Sequence, residues 1–389
     1  MNNTEEGNAI EQVMEIIIDQ GFGGMDQAMT ILINEAMKVE RSGVLQAKAY
    51  ERTPQRLGHS NGYKQKKVKS RLGNLNLQVP QVRGNVEFYP SALEKGERSE
   101  RALKLAMAEM YVKGVTTRKV SAVLEKLCGL KFSSADVSRA SALLDEELEL
   151  WRNRPISGVE YLMLDARYEK VRMNGSVVSC AVLVATGVLS DGRRSVLGVD
   201  VSMSEAEVHW REFLKSLKNR GMHGLKLVTS DDHSGLKAAL ESSLQGVPWQ
   251  RCQVHLQRNA TAYVPKVDMR EEVASDIRSV FSAPNREEAD RLLINIIEKY
   301  SRTASRLAVW MEENIHEGLT VFAMPEKHRR RLRTTNMVER QNREIKRRTR
   351  VSGLFPSEAS LLRLVSAILM EVSEEWESAD KAYLKMKSN

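Results

Sequence analysis

Cysteine is scarce in this chain. Three residues in 389, Cys128, Cys180 and Cys252, cannot build a disulfide framework and always leave one thiol over. A reducing, intracellular compartment is the expectation. Long apolar runs are also missing: none approaches the roughly eighteen residues that a membrane span needs. The patch Ile16-Ile17-Ile18 is short, flanked by acids and without a basic leader, so it does not read as a signal peptide. Internal repeats and low-complexity tracts are absent too. What is present is 42% apolar and 28% charged residues, enough to bury a real core. At roughly 100–200 residues per domain, two or three domains are expected.

The net charge is +8. That is mild for this length, but its distribution is uneven. Residues 326–350 hold eleven Lys/Arg against three acids, and residues 51–83 hold eight against one. The remainder is net acidic. Concentrated positive charge is the footprint of phosphate contact, although either cluster alone also fits a solvated basic face.

Periodicity divides the chain. Residues 8–50 follow helix spacing, broken at Gly21-Phe22-Gly23-Gly24. Residues 51–90 are basic and loop-rich, with an alternating Leu75, Leu77, Val79 that predicts a small β unit. Thr116 or Thr117 can cap a helix to Leu127. After Cys128-Gly129, Ser133 with Asp136 forms a capping-box pattern for a second helix running on toward Leu148. This pair resembles a helix-turn-helix, and an ordinary helical hairpin fits it equally well. Arg139 is its one evident base reader, and the acidic run Asp145-Glu146-Glu147 would be repelled by phosphates.

Residues 159–172, 177–188 and 194–202 read as an antiparallel meander. Asn174-Gly175 and Asp191-Gly192 supply turn residues suited to positive φ. A helix (about 205–220), a buried strand at Leu225–Val228 and a helix (234–244) follow. That order, β-β-β-α-β-α, is the opening half of a ribonuclease-H-like fold. Residues from about 254 to 320 read as mostly helical, and helices near 335–348 and 357–376 close the chain. The expected class is α/β: a ribonuclease-H-like core preceded by a mainly helical region, with a helix-turn-helix-like segment and a basic stretch that suit DNA binding. The expected segments are 1–97 (helical and basic β/loop), 98–152 (helix-turn-helix-like), 153–260 (first part of the core), 261–330 (helical insertion) and 331–389 (closing helices).

Asp165 follows the apolar strand residues Tyr161–Leu164, where an unpartnered carboxylate is costly. Asp231 lies just past the Leu225–Val228 strand, a neighbour of the first in the expected sheet. Two converging carboxylates repel unless a cation lies between them, and Mg²⁺ suits such a site. Glu339 is the candidate third acid. At helical spacing it shares a face with Arg343, Lys346 and Arg350. Each acid also has a plain structural reading, as a turn or helix cap or as an i,i+4 ion pair with Arg343. Asp232 and Glu169 are competing acids.

These segments together resemble a mutator-type transposase of bacterial insertion sequences, a branch of the Asp-Asp-Glu transposases. The resemblance is carried by Asn61-Gly62-Tyr63, Val79-Pro80-Gln81-Val82-Arg83, Met110–Arg118, Leu164-Asp165, Ser230–Leu236, Trp249–Asn259, Arg333–Arg340 and Arg347–Arg350. It covers nearly the whole chain. Ser60 stands where the family usually has Arg, and Thr116 where Ser is common. The resemblance implies Asp165, Asp231 and Glu339 as catalytic, metal-binding acids, and selects Asp231 over Asp232. It implies two Mg²⁺ ions, with Mn²⁺ as the alternative, and a helical insertion before the third acid. Cys252-x-x-His255 lacks a second ligand pair for zinc. With Arg258, His233 and Asn336 it is expected to support the core.

The implied activity is cleavage and strand transfer at terminal inverted repeats. Arg340, Arg343, Lys346, Arg347, Arg348 and Arg350 would hold the DNA backbone, with Lys66, Lys67 and Arg139 in the amino-terminal half. Expected partners are double-stranded DNA, both element ends and target, and further copies of the chain in a homodimer or larger assembly. The expected location is the bacterial cytoplasm, at the nucleoid, with no membrane. Two rival readings are a DNA-binding protein without catalysis and a ribonuclease-H-like nuclease that cuts without joining.

Overall fold

The structure is a computed structural model that describes residues 4–386. It divides into two compact units between Leu143 and Leu144.

The first unit opens with α1 (Thr4–Gln20) and α2 (Met25–Leu45), separated by a 3-10 turn over the predicted glycine break, Gly21–Gly24. A hairpin follows, β1 (His59–Ser70) and β2 (Gly73–Arg83). Leu75, Leu77 and Val79 are buried on alternate positions, as the pattern predicts, and Leu75 and Leu77 share a small core with Met37. Then come α3 (Arg101–Val112), α4 (Thr117–Cys128) and α5 (Ser134–Ser141), packed around Leu103, Met107, Val120, Leu124 and Val137. Thr116 caps α4 by accepting from the Lys119 N–H, and Ser133 with Asp136 forms the predicted capping box of α5.

The expected helix from Ser133 toward Leu148 is not continuous. A 3-10 turn at Ala142–Leu144 breaks it, and α6 (Asp145–Arg152) begins afresh. The acidic run that looked like the far end of one helix is the first turn of the next, where carboxylates complement the helix dipole.

In the second unit, β3 (Val159–Met173), β4 (Ser176–Leu189) and β5 (Arg194–Ser202) form the predicted meander. Asn174 and Gly175 both adopt positive φ, as a two-residue hairpin turn requires. The second turn, residues 190–193, is not the expected turn with positive φ at both Asp191 and Gly192. Only Gly192 takes positive φ there, and the Asp191 carboxylate instead accepts the Arg193 N–H. Next come α7 (Glu207–Asn219), β6 (Leu227–Ser230), α8 (Ser234–Ser243), β7 (Trp249–Arg251) and α9 (Gln253–Ala260). β7 is too short to leave a periodic signal. The helical stretch comprises α10 (Arg270–Phe281), α11 (Arg286–Ser301), α12 (Ser305–Asn314) and α13 (Glu326–Leu332). α14 (Asn336–Ser352) and α15 (Glu358–Glu377) close the unit.

The sheet order is β5-β4-β3-β6-β7, antiparallel through β3 and parallel from β3 to β7. Its two faces are both covered. Leu162, Leu164, Leu183, Ala185 and Leu197 pack with Trp210, Phe213, Leu214 and Leu236 of α7 and α8. The alternate residues of β3 face α13 and α14: Tyr161 bonds to His328, Asp165 to Asn342 and Glu169 to Thr349. Among the described residues no helix is long and apolar enough to cross a membrane.

Candidate active site

Of the predicted acids, Asp165 lies on the second face of the sheet, Asp231 just past the end of β6 and Glu339 on α14. Asp165 lies in mid-strand, 8% exposed. On the neighbouring parallel strand Met163 pairs with Thr229, so Asp165 and Asp231 each stand two residues past a matched pair. Burial, then the charge of Asp231, pushes the Asp165 carboxyl up to about 7. Glu339 adds to that rise, while His255 and the Ala166 N–H oppose it. The three acids therefore share one electrostatic field. Among the described residues, however, no three Asp, Glu, His or Cys side chains converge closely enough to hold a metal ion as they stand.

The helix carrying Glu339 is tied to the sheet at several points. Arg167 donates to the Asn342 carbonyl at 2.6 Å, and Thr186 donates to Gln341 at 2.9 Å. Asn342 Nδ2 donates to Asp165 Oδ2 at 2.6 Å. Asn342 Oδ1 is buried without a hydrogen-bond partner. Glu339 turns to His255 Nε2, 3.7 Å away, rather than to Arg343.

Cys252 and His255 lie at this corner. The Cys252 backbone N–H donates to Ser230 at 2.7 Å, next to Asp231. Its thiol accepts from both the N–H and the hydroxyl of Thr335, each at 3.4 Å, at the start of α14. Cys252 thus joins the strand that leads to the second acid with the helix that carries the third. Burial pushes the thiol up, but His255 and Thr335 outweigh it and hold it below its ordinary value. The nearby thiol in turn raises the imidazole, against burial, with help from Asp165 and Asp231.

The competing acids are spent elsewhere. Asp232 pairs with Arg251 at 3.0 Å and with Lys237 at 3.6 Å. Glu169 pairs with Arg167 at 2.7 Å. His233 stands 3.9 Å from the buried Glu205, whose carboxyl is raised by burial and by Asp231 and lowered by His233. Arg258 and Asn336 are exposed and carry no side-chain contact to the acids.

The basic residues divide in the same way. Arg340, Arg343, Lys346, Arg347 and Arg350 are exposed on α14. Arg348 is a correction: it is 7% exposed and bridges Glu344 and Glu371, each at 2.8 Å, so it fastens α14 to α15 instead of facing solvent. Arg347 also pairs with Glu344. Lys67 is exposed, whereas Lys66 is engaged with Tyr89 and the Glu94 carbonyl. Arg139 pairs with Asp136 of the capping box.

Sequence reasoning missed Asn342, Arg251 and Glu205. Asn342 carried a usable signal, since it follows Glu339 by three residues and so shares its helix face.

A mixed α/β unit with a buried, electrostatically strained carboxylate beside two more acids and an arginine-rich helix is the setting for work on a polyanion. The chain belongs to the mutator family of transposases: the family description "Transposase, Mutator family" matches residues 1–379. It is 52% identical over 381 residues to the transposase for insertion sequence element IS406 of Burkholderia multivorans, covering 97% of this chain and 98% of that one. It is 41% identical over 387 residues to the transposase for ISRM5 of Rhizobium meliloti, covering 99% and 96%. To the transposase for IS256 in transposon Tn4001 of Staphylococcus aureus it is 37% identical over 364 residues, covering 92% of each chain.

Proposed function

We propose that this chain is a DNA transposase whose second unit is a ribonuclease-H-like core, with Asp165, Asp231 and Glu339 as its catalytic acids. The observation that carries this reading is the buried Asp165 carboxyl, pushed up to about 7 by burial and by Asp231 just past the end of the adjacent strand. Such a pair is costly without a cation. The donor set suits Mg²⁺, with Mn²⁺ as the alternative: it is oxygen-rich, and Mg²⁺ takes only one or two carboxylates and keeps its remaining positions for water and phosphate. The unpartnered Asn342 Oδ1 adds an oxygen beside Asp165. Divalent ions bound there would polarise the phosphodiester and activate water or a 3′-hydroxyl for in-line attack.

The chain's own residues set the geometry. β3 carries Asp165, and β6 leads directly into Asp231. Asn342 orients Asp165, and His255 restrains Glu339. Arg340, Arg343 and Lys346 face solvent on the helix of the third acid, where they can hold a DNA backbone. The first unit, with the exposed Lys67 on its hairpin, would bind the terminal inverted repeats, with α4 and α5 as a helix-turn-helix. Two ends must be brought together, so a homodimer or larger assembly follows, acting in the bacterial cytoplasm at the nucleoid.

The test is cleavage of a duplex carrying the element's end. Asp165→Ala, Asp231→Ala and Glu339→Ala should each abolish Mg²⁺-dependent cleavage while end binding stays within about twofold. Full cleavage by any of the three removes that residue from the triad. Strand transfer with pre-cut ends separates a transposase from a nuclease that only cuts.

A further inference from the structure

Three arginines at the edge of the α14-covered face lack acidic partners. Arg194 opens β5, Arg331 is on α13, and Arg340 follows Glu339 on α14. The Arg194 guanidinium lies 4.2 Å from the Trp376 ring centre and 4.6 Å from that of Tyr383. Arg331 lies over the same Tyr383 ring, also at 4.6 Å. Arg340 lines a groove of about 400 Å³ with Trp376, a groove that also holds Glu344, Glu371 and Glu375, though Arg340 itself pairs with none of them. Among the described residues none of the three forms an ion pair with a carboxylate. Burial lowers Arg194, Tyr383 opposes this, and Arg340 and Arg331 lower it further. Arg194 is thus partly desolvated on an aromatic platform that it shares, through Tyr383, with the exposed Arg331. A guanidinium over an aromatic ring can keep N–H groups free for phosphate oxygens.

We propose that Arg194 and Arg331, on the shared Tyr383 ring, form a further binding site for a backbone phosphate of duplex DNA, with Arg340 between it and the helix turn that carries Glu339. The position is informative. Arg194 pairs with Val188, which pairs with Tyr161, so the site lies on the row of Tyr161. Asp165 is four residues further along β3 on the same face. Strand rise and spacing place its Cα roughly 16 Å from that of Arg194. At about 3.4 Å of rise per base pair, that is a phosphate some four to five base pairs from the cleaved bond. The site would fix the direction in which DNA leaves the acids. This inference rests on the transposase reading above.

The experiment uses the full chain and a duplex carrying the element's end. Affinity is measured by fluorescence anisotropy across a salt series, for wild type, Arg194→Gln, Arg331→Gln and the double variant. Each lost contact should make the log–log salt slope shallower by about 0.9. Arg194→Lys should keep the slope. Ethylating the phosphate four to five base pairs from the cleaved bond should weaken binding by wild type and not by the double variant. Arg331 is exposed, so its variant reports even if the Arg194 change perturbs packing. An unchanged slope for Arg331→Gln together with an unaltered ethylation pattern would overturn the proposal. So would an unchanged slope where inorganic phosphate raises the melting temperature of wild type alone, since that marks a small-anion site. Failure of wild type to cleave at all overturns the transposase reading instead, and the salt slopes still show whether the arginines hold DNA.

Discussion

Asp165 lies within β3 and Asp231 one residue past the end of β6, each two residues beyond the paired Met163 and Thr229. Sheet register, which shifts only in whole residues, thus positions the backbone segments that lead to both acids. Everything else at the site can be read as a response to that imposed repulsion.

The first consequence concerns pH. The Asp165 carboxyl is raised to about 7, from an unfolded value near 3.8. Between those values the unfolded chain ionises while the folded chain keeps its proton, so stability falls as pH rises, and the loss is complete above about 7. Asp165→Asn should flatten that slope. In metal-free buffer at pH 8 it should melt higher than wild type, by an amount on the order of a few kcal/mol. Equal melting temperatures from pH 5 to 8 would show that Asp165 is not strained.

Asn342 should matter to activity more than to folding. Its amide donates to Asp165 at 2.6 Å. A hydrogen bond to a charged group is worth about 1.5–3 kcal/mol, so Asn342→Ala should slow cleavage roughly 10- to 100-fold. Asn342→Asp should be worse, because it adds a fourth carboxylate. Both rates are read as single-turnover cleavage over a Mg²⁺ series. An Asn342→Ala enzyme as fast as wild type would remove the residue from the site.

Replacing Cys252 by Ala strands the Thr335 N–H and hydroxyl in a buried corner. Stability should fall by about 1–3 kcal/mol. Cleavage should fall further than Cys252→Ser, which restores an acceptor. The thiol is fully buried, so it should resist alkylation in the native protein and react once unfolded. Rapid native alkylation would contradict the burial.

Glu344 holds the reverse sign. Hydrogen bonding to Arg347, against burial and with further help from Arg348, lowers its carboxyl to about 2. Its stabilisation is present above the unfolded value near 4.5 and is lost as pH falls toward 2. Glu344→Gln should lower the melting temperature at pH 7 by roughly 2–4 °C, for about 1 kcal/mol after allowing for solvent screening. The gap should close in acid. A gap that stays constant down to pH 2 would assign the effect to packing.

Local chemistry determined much of this protein. Alternation and the Asn174-Gly175 turn set the meander, Thr116 and Ser133 set the helix starts, and the acids stood out because carboxylates after apolar strand residues are rare. These signals act over a few residues, so they survive in the bare sequence. The break at Ala142–Leu144, the three-residue β7 and the conformation of the turn at Gly192 left no such signal, or left one that a longer pattern masked. Only the tertiary structure decided which charges are free. Arg348 and Arg350 look alike in the sequence, yet one bridges Glu344 and Glu371 while the other faces water. Arg194 and Arg340 lie 146 positions apart, and only the folded sheet and its covering helix bring their charges together. Pairing and burial are properties of neighbours in space, and a one-dimensional pattern cannot name those neighbours.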